Sequence, residues 1–117
     1  MTVAIRNVGA VEVLDLAGKF TRGEGDDILR VSVDRLLAAG RRQILLNLEK
    51  VPYMDSKGIG ELVSVHKTTA AAGGTVKLLN PLKRVYDVLL IVKLDTLFET
   101  YLDEAAAIAS FRSSDGA

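Results

Sequence analysis

Apolar positions along the chain follow two rhythms. Residues 3–7, 11–17, 43–48 and 75–79 form short runs, alternating or continuous and rich in Val, Leu and Ile, which predicts β-strands. The run at 43–48 is apolar almost without interruption, as expected of a central strand covered on both faces. The other rhythm is helical. Leu29, Val33, Leu36 and Leu37 share one face of a helix expected to run to about residue 39. Ile59, Leu62, Val63, His66 and Ala70 make the inward stripe of a second, running to about residue 72. Leu82, Val85, Tyr86, Leu89 and Leu90 follow the i, i+3, i+4, i+7, i+8 spacing of a third,. A last, alanine-rich helix spans about 104–111.

The punctuation agrees. Gly9 turns residues 3–7 back on 11–17, predicting an antiparallel hairpin. Gly18 ends the second strand and opens a loop, 19–27, whose Asp26 and Asp27 are candidate caps for the first helix. Gly40 suits a helix C-terminus, and Arg41 and Arg42 read as solvated cations at its negative end. Gly73-Gly74 stops the second helix. Pro81 stands where proline is tolerated, at the start of the third. A brief extended segment is expected near Phe98, Asp103 caps the last helix, and residues 113–117 read as a frayed tail. The order β-β-α-β-α-β-α-(β)-α predicts one α/β domain over residues 1–112. Its sheet has four or five strands, with an N-terminal antiparallel hairpin and a mostly parallel remainder, and carries about four helices.

Composition narrows the function classes. With 117 residues the chain fits a single core,. Fifteen Lys and Arg balance fifteen Asp and Glu, which argues against nucleic-acid binding by bulk charge. There is no cysteine, which excludes disulfides and thiolate chemistry. The N-terminus lacks a signal-peptide pattern, and no apolar run approaches the roughly 20 residues of a membrane span. The expected location is therefore the cytoplasm. His66 is the single histidine, and no nucleophile–base–acid set accompanies it. Gly58-Ile-Gly60 does not continue to G-x-G-x-x-G, because Val63 takes the third glycine position, and no P-loop is present,. Carboxylates are scattered rather than clustered for a metal. These readings predict a binding module with no enzymatic activity and no cofactor.

The stretch that organises the chain is Val51-Pro-Tyr-Met-Asp-Ser-Lys-Gly-Ile-Gly60. Pro52 cannot donate to a ladder and ends the strand before it. Asp55 and Ser56 are both good N-caps, and Glu61 suits the positive end of the helix dipole. Gly58 and Gly60 then fall within one turn, where each costs roughly 1 kcal/mol relative to alanine. Two explanations stand side by side. Either glycine lets the helix lie close on its neighbours, or bare backbone at the helix start receives a phosphate or a docked partner. The loop from Phe20 to Gly25, with charged Arg22 and Glu24, either joins that surface or is a plain connection.

The segment Leu45-Leu-Asn-Leu-Glu-Lys-Val-Pro-Tyr-Met-Asp-Ser-Lys-Gly-Ile-Gly-Glu-Leu62, with the element order, resembles the STAS domain of anti-sigma factor antagonists. Asn47-Leu48, Val51, Asp55-Ser56 and Gly58-Ile-Gly60 carry the most specific part, and Gly73-Gly74-Thr-Val-Lys-Leu-Leu79 matches as well. The resemblance implies a STAS-type fold and a protein partner, an anti-sigma factor that is also a serine kinase of the GHKL type. Capture of that partner frees a sigma factor, and phosphorylation of the antagonist ends the capture. The partner-binding residues it implies are Asp55, Ser56, Lys57, Gly58, Ile59 and Gly60, with Arg22 and Glu24 from the loop. The chain departs from the family at one point. The pattern is Asp-Ser-(Ser/Thr)-Gly with the second hydroxyl as acceptor, and here that position is Lys57, which cannot take the phosphate. Ser56 is the available substitute. STAS domains also serve as accessory subunits of lipid transporters, which is the alternative. The outer edge of the hairpin can pair with a second copy.

Overall fold

The fold is that of a computed structural model describing residues 1–23 and 27–115. Five strands form one sheet in sequence order, β1 (Thr2–Val8), β2 (Val11–Ala17), β3 (Gln43–Lys50), β4 (Thr75–Leu79) and β5 (Thr100–Tyr101). β1 and β2 pair antiparallel, and every later pair is parallel. Each parallel step returns through a helix: α1 (Ile28–Ala38), α2 (Ser56–Ala71) and α3 (Lys83–Ile91), with α4 (Glu104–Asp115) closing the chain.

Strand periodicity explains the two layers. Leu14, Leu16, Ile44, Leu46, Leu48, Val76 and Leu78 point to one face, where Leu29 and Val33 of α1, Leu62 and Val65 of α2, and Val85 and Leu89 of α3 meet them. The alternate residues Val11, Val13, Leu45 and Leu79 face Ala107 and Phe111 of α4. Every residue from Gln43 to Leu48 is buried, as the unbroken apolar run requires. Lys77 on β4 is 1% exposed. Its Nζ reaches Ser110 Oγ at 2.9 Å and sits 4.7 Å from the centroid of the Phe111 ring, which fastens α4 to the sheet. No helix among the described residues is long and apolar enough to cross a membrane.

Several expectations need correction. The buried face of α2 is Gly58, Glu61, Leu62, Val65 and Thr69, not the stripe Ile59, Leu62, Val63, His66 and Ala70. Ala70 is exposed, and Ile59, Val63 and His66 are half-buried. Two polar residues and a glycine lie on the inner side, so hydropathy rotates the stripe by about one residue. α3 starts at Lys83, not Pro81, because Asn80 is left-handed at φ 51° and Leu82 is still extended at the N-cap. Leu82 and Leu90, though in register with the pattern, are exposed. The extended segment expected near Phe98 comes two residues later as β5, while Phe98 itself is buried in the main core. The last helix continues to Asp115, past the expected end near residue 111, and residues 116–117 of the expected tail lie outside the described residues. Asp103 caps it as expected, accepting the Ala106 N–H at 2.9 Å. Asp27 precedes α1 in a left-handed conformation and makes no side-chain cap bond, and Asp26 lies outside the described residues. Arg41 is not merely solvated: its Nε lies 2.6 Å from Oε1 of Glu12, whose side chain is only 8% exposed.

Candidate functional site

The tip of α2 is built by two loops bonded to each other. After β3, residues 51–55 run alongside residues 18–22 that follow β2. Gly18 N–H donates to the Lys50 carbonyl at 2.9 Å, Phe20 N–H to the Tyr53 carbonyl at 2.9 Å, and Asp55 N–H to the Phe20 carbonyl at 3.3 Å. Asp55 closes the seam. Its Oδ2 accepts the Arg22 N–H at 3.1 Å while Oδ1 accepts the Gly58 N–H at 3.0 Å, the N-cap bond of α2. These two backbone donors, Arg22 foremost, hold the Asp55 carboxyl below the ordinary carboxylate range, because each N–H favours the charged form. The loop after β2 therefore joins the helix tip, and Arg22 is part of it. Glu24 lies outside the described residues.

The two glycines have different reasons to be there. A Cβ on Gly58 would stand 2.2 Å from the Phe20 carbonyl oxygen and 2.8 Å from Met54 Cγ. Only glycine lets α2 approach that closely, so packing explains Gly58. Around Gly60 a Cβ would meet no atom of the described residues within 4 Å, and the residue is exposed. Packing among the described residues does not explain Gly60. Ser56 is also exposed, whereas the Ile59 side chain leans on the edge of the main core.

Lys57 faces the start of α1. Its Nζ lies 3.2 Å from Asp27 Oδ1 and 3.8 Å from Glu61 Oε1. Arg30 approaches the other Asp27 oxygen at 3.6 Å. The Lys57 ammonium, with Arg30 behind it, keeps the Asp27 carboxyl below its usual range. Glu61, expected only to complement the helix dipole, is buried, and its Oε2 has no hydrogen-bond partner among the described residues. Asp27, Arg30, Ser56, Lys57, Gly60 and Glu61 thus line one shallow groove between the starts of α1 and α2.

Sequence reasoning gathered the α2 residues and Arg22 but missed Asp27, Arg30 and Glu61 as members of this surface. No local signal links Lys57 to a carboxylate thirty residues earlier. Only the parallel crossover, which sets α1 beside α2, brings them together. His66 stands apart: its ring meets Phe98 edge-on at 5.3 Å between centroids, and its Nδ1 is enclosed with no hydrogen-bond partner among the described residues.

Comparison with known proteins fixes the family of this architecture. The STAS domain model matches residues 5–107. A Thermotoga neapolitana protein, provisionally named as a homologue of an anti-sigma factor antagonist, is 37% identical over 68 residues. That match covers 58% of this chain and 60% of the relative, so the chain aligns with less than two-thirds of the relative's length. The crystal structure of a Thermotoga maritima protein, again provisionally named as an anti-sigma factor antagonist, shares the fold with a TM-score of 0.82. It is 25% identical, and 94% of each chain is covered. The unphosphorylated form of the anti-sigma factor antagonist SpoIIAA matches with a TM-score of 0.82 at 24% identity, over 96% of this chain and 97% of that one. At that identity the likeness speaks for the fold alone.

Proposed function

The chain belongs to the STAS domain family, and on that premise we propose that it is an anti-sigma factor antagonist that binds its partner through the α2 tip and frees a sigma factor. The observation that carries this reading is the contrast between the two glycines. Gly58 is spent on internal packing, whereas Gly60 leaves open backbone beside exposed Ser56 on a tip held by a capped aspartate. A surface that costs helix propensity and serves no contact among the described residues is accounted for by a surface outside the chain. The provisional names of the two Thermotoga relatives agree with this reading.

Lys57 shapes the regulation. At the position where the family pattern has its phosphate acceptor, this chain has an ammonium held between Asp27 and Glu61. The partner is an anti-sigma factor of the serine-kinase class, and the complex with this chain is not ended by phosphate on residue 57. The protein is thus a constitutive antagonist. A phosphate brings about −1.5 to −2 charges, and without it the docking surface keeps a constant charge.

The test is a pull-down of the chain with anti-sigma factor kinases of the same organism, in both ADP and ATP. Binding is expected in both nucleotide states, with loss in Gly60→Arg, whose side chain fills the open backbone. Incubation with the captured kinase and ATP is expected to leave the wild type unlabelled and to label Lys57→Ser. Absence of binding to any such kinase refutes the partner class, and strong labelling of Ser56 in the wild type refutes constitutive action.

A further inference from the structure

The two edges of the sheet are treated differently. At one end β5 has only two residues, one of the ways proteins blunt an edge. At the other end β1 is seven residues long and continuous in register with β2 from Thr2 to Val8, without a bulge. It contains neither proline nor glycine, and no described residue pairs with its outer side. Its single charge is Arg6, and Arg6 does not guard the edge. Nε lies 2.6 Å from Asp15 Oδ2 and Nη2 lies 2.7 Å from Glu104 Oε1, so the guanidinium is drawn onto the α4 side and its charge is met twice.

The hairpin turn tells which backbone groups look outward. Gly9 is left-handed at φ 61° and Ala10 is not, so the two-residue connection is of type II′. Such a turn makes Val8 and Val11 a hydrogen-bonded pair, and pairing then alternates. Ala4 and Arg6 bond inward to β2. Val3, Ile5 and Asn7 direct both N–H and C=O away from the sheet. An antiparallel copy of the same strand, centred on Ile5, sets Ile5 against Ile5 and Val3 against Asn7 across the seam. All three outward residues on each side are satisfied. Arg6 falls opposite Ala4, so no like charges oppose each other, and Ile5, 47% exposed in the single chain, is covered by its own counterpart.

We propose that β1 is a self-association edge: two copies of this chain join antiparallel through Val3, Ile5 and Asn7 into one ten-stranded sheet. None of the residues of the α2 tip takes part, so the pairing stands or falls independently of the partner reading. A seam of this length is small for a permanent interface, and the equilibrium lies in a concentration range that can be titrated.

The experiment combines sedimentation velocity with amide hydrogen exchange, from micromolar to millimolar chain. The mass is expected to rise up to twofold. Exchange at Val3, Ile5 and Asn7 is expected to slow about tenfold once nine-tenths of the chains are paired, while Ala4 and Arg6, already bonded, barely change. Ile5→Pro removes an outward N–H that no ladder uses and should hold the protein monomeric. Ile5→Lys, which leaves the backbone intact and opposes two ammonium groups, should do the same and serves if the proline variant fails to fold. A wild type that stays monomeric with freely exchanging Val3, Ile5 and Asn7 overturns the proposal, leaving that edge to solvent or to a strand of another protein. So does a dimer that survives both substitutions.

Discussion

Alanine at position 58 and alanine at position 60 should move stability in opposite directions. On Gly58 the new Cβ would lie 2.2 Å from the Phe20 carbonyl oxygen, 2.8 Å from Met54 Cγ and 3.1 Å from Phe20 Cγ. Met54 can turn aside, but the carbonyl already accepts the Asp55 N–H at 3.3 Å and belongs to the residue whose N–H donates to the Tyr53 carbonyl. The loop after β2 must therefore retreat by about an ångström, which lengthens that bond and the Arg22–Asp55 contact. Overpacking of this kind costs about 1–3 kcal/mol. Alanine returns at most about 1 kcal/mol of helix propensity, so a net loss of roughly 1–2 kcal/mol is expected. At this chain length that is a fall in Tm of about 4 °C per kcal/mol. At Gly60 the Cβ meets open space, and the same propensity appears as a gain of up to about 1 kcal/mol. The assay is thermal and urea unfolding of the two variants beside the wild type, followed by circular dichroism. Equal stability of Gly58→Ala and the wild type would refute the packing account, and a destabilised Gly60→Ala would refute the claim that nothing in the chain opposes a side chain there.

Two further predictions follow from buried and capping charges. Asp55 is held below the ordinary carboxylate range by the N–H groups of Arg22 and Gly58, so its contribution is full above the unfolded pKa of about 4 and fades as pH falls through the lower folded value. Urea midpoints measured from pH 6 down to pH 3 should drop more for the wild type than for Asp55→Asn. Lys77 is a cation inside the α4 layer, met by Ser110, the Phe111 face and, at 3.6 Å, the exposed carboxylate of Glu99. Lys77→Met, which keeps volume and removes the desolvated charge, should be neutral or stabilising, whereas Lys77→Ala should lose about 2–4 kcal/mol to the cavity. Chemical denaturation of the pair decides this, and a methionine variant as damaged as the alanine one would show that the ammonium itself holds α4.

β2, β3 and β4 were legible because their apolar runs coincide with burial on both faces, and β3 is the clearest case. The N-terminal hairpin was legible from Gly9, and the starts of α2 and α4 from Asp55 and Asp103. What stayed hidden was polar or distant. Glu61, Thr69 and Gly58 occupy the inner face of α2, so hydropathy misplaced its stripe. Lys77 is buried as a lysine, and its partners Glu99, Ser110 and Phe111 all lie more than twenty residues further along the chain. The β5 strand owes its place to pairing with Leu78 and Leu79, not to any pattern of its own. At the site, the motif identified the tip but not its wall. Lys57 reads alone as an unfavourable cation at a helix start, and the crossover that brings Asp27 to it turns that charge into a bridge.

The seam between residues 18–22 and 50–55 couples the loop after β2 to the start of α2. Gly18, Phe20 and Arg22 are bonded in step with Lys50, Tyr53 and Asp55, so adding or deleting a residue between Gly18 and Arg22 would misalign the cap and carry the tip of α2 with it. The spacing of that stretch is what any diversification of the surrounding surface has to keep.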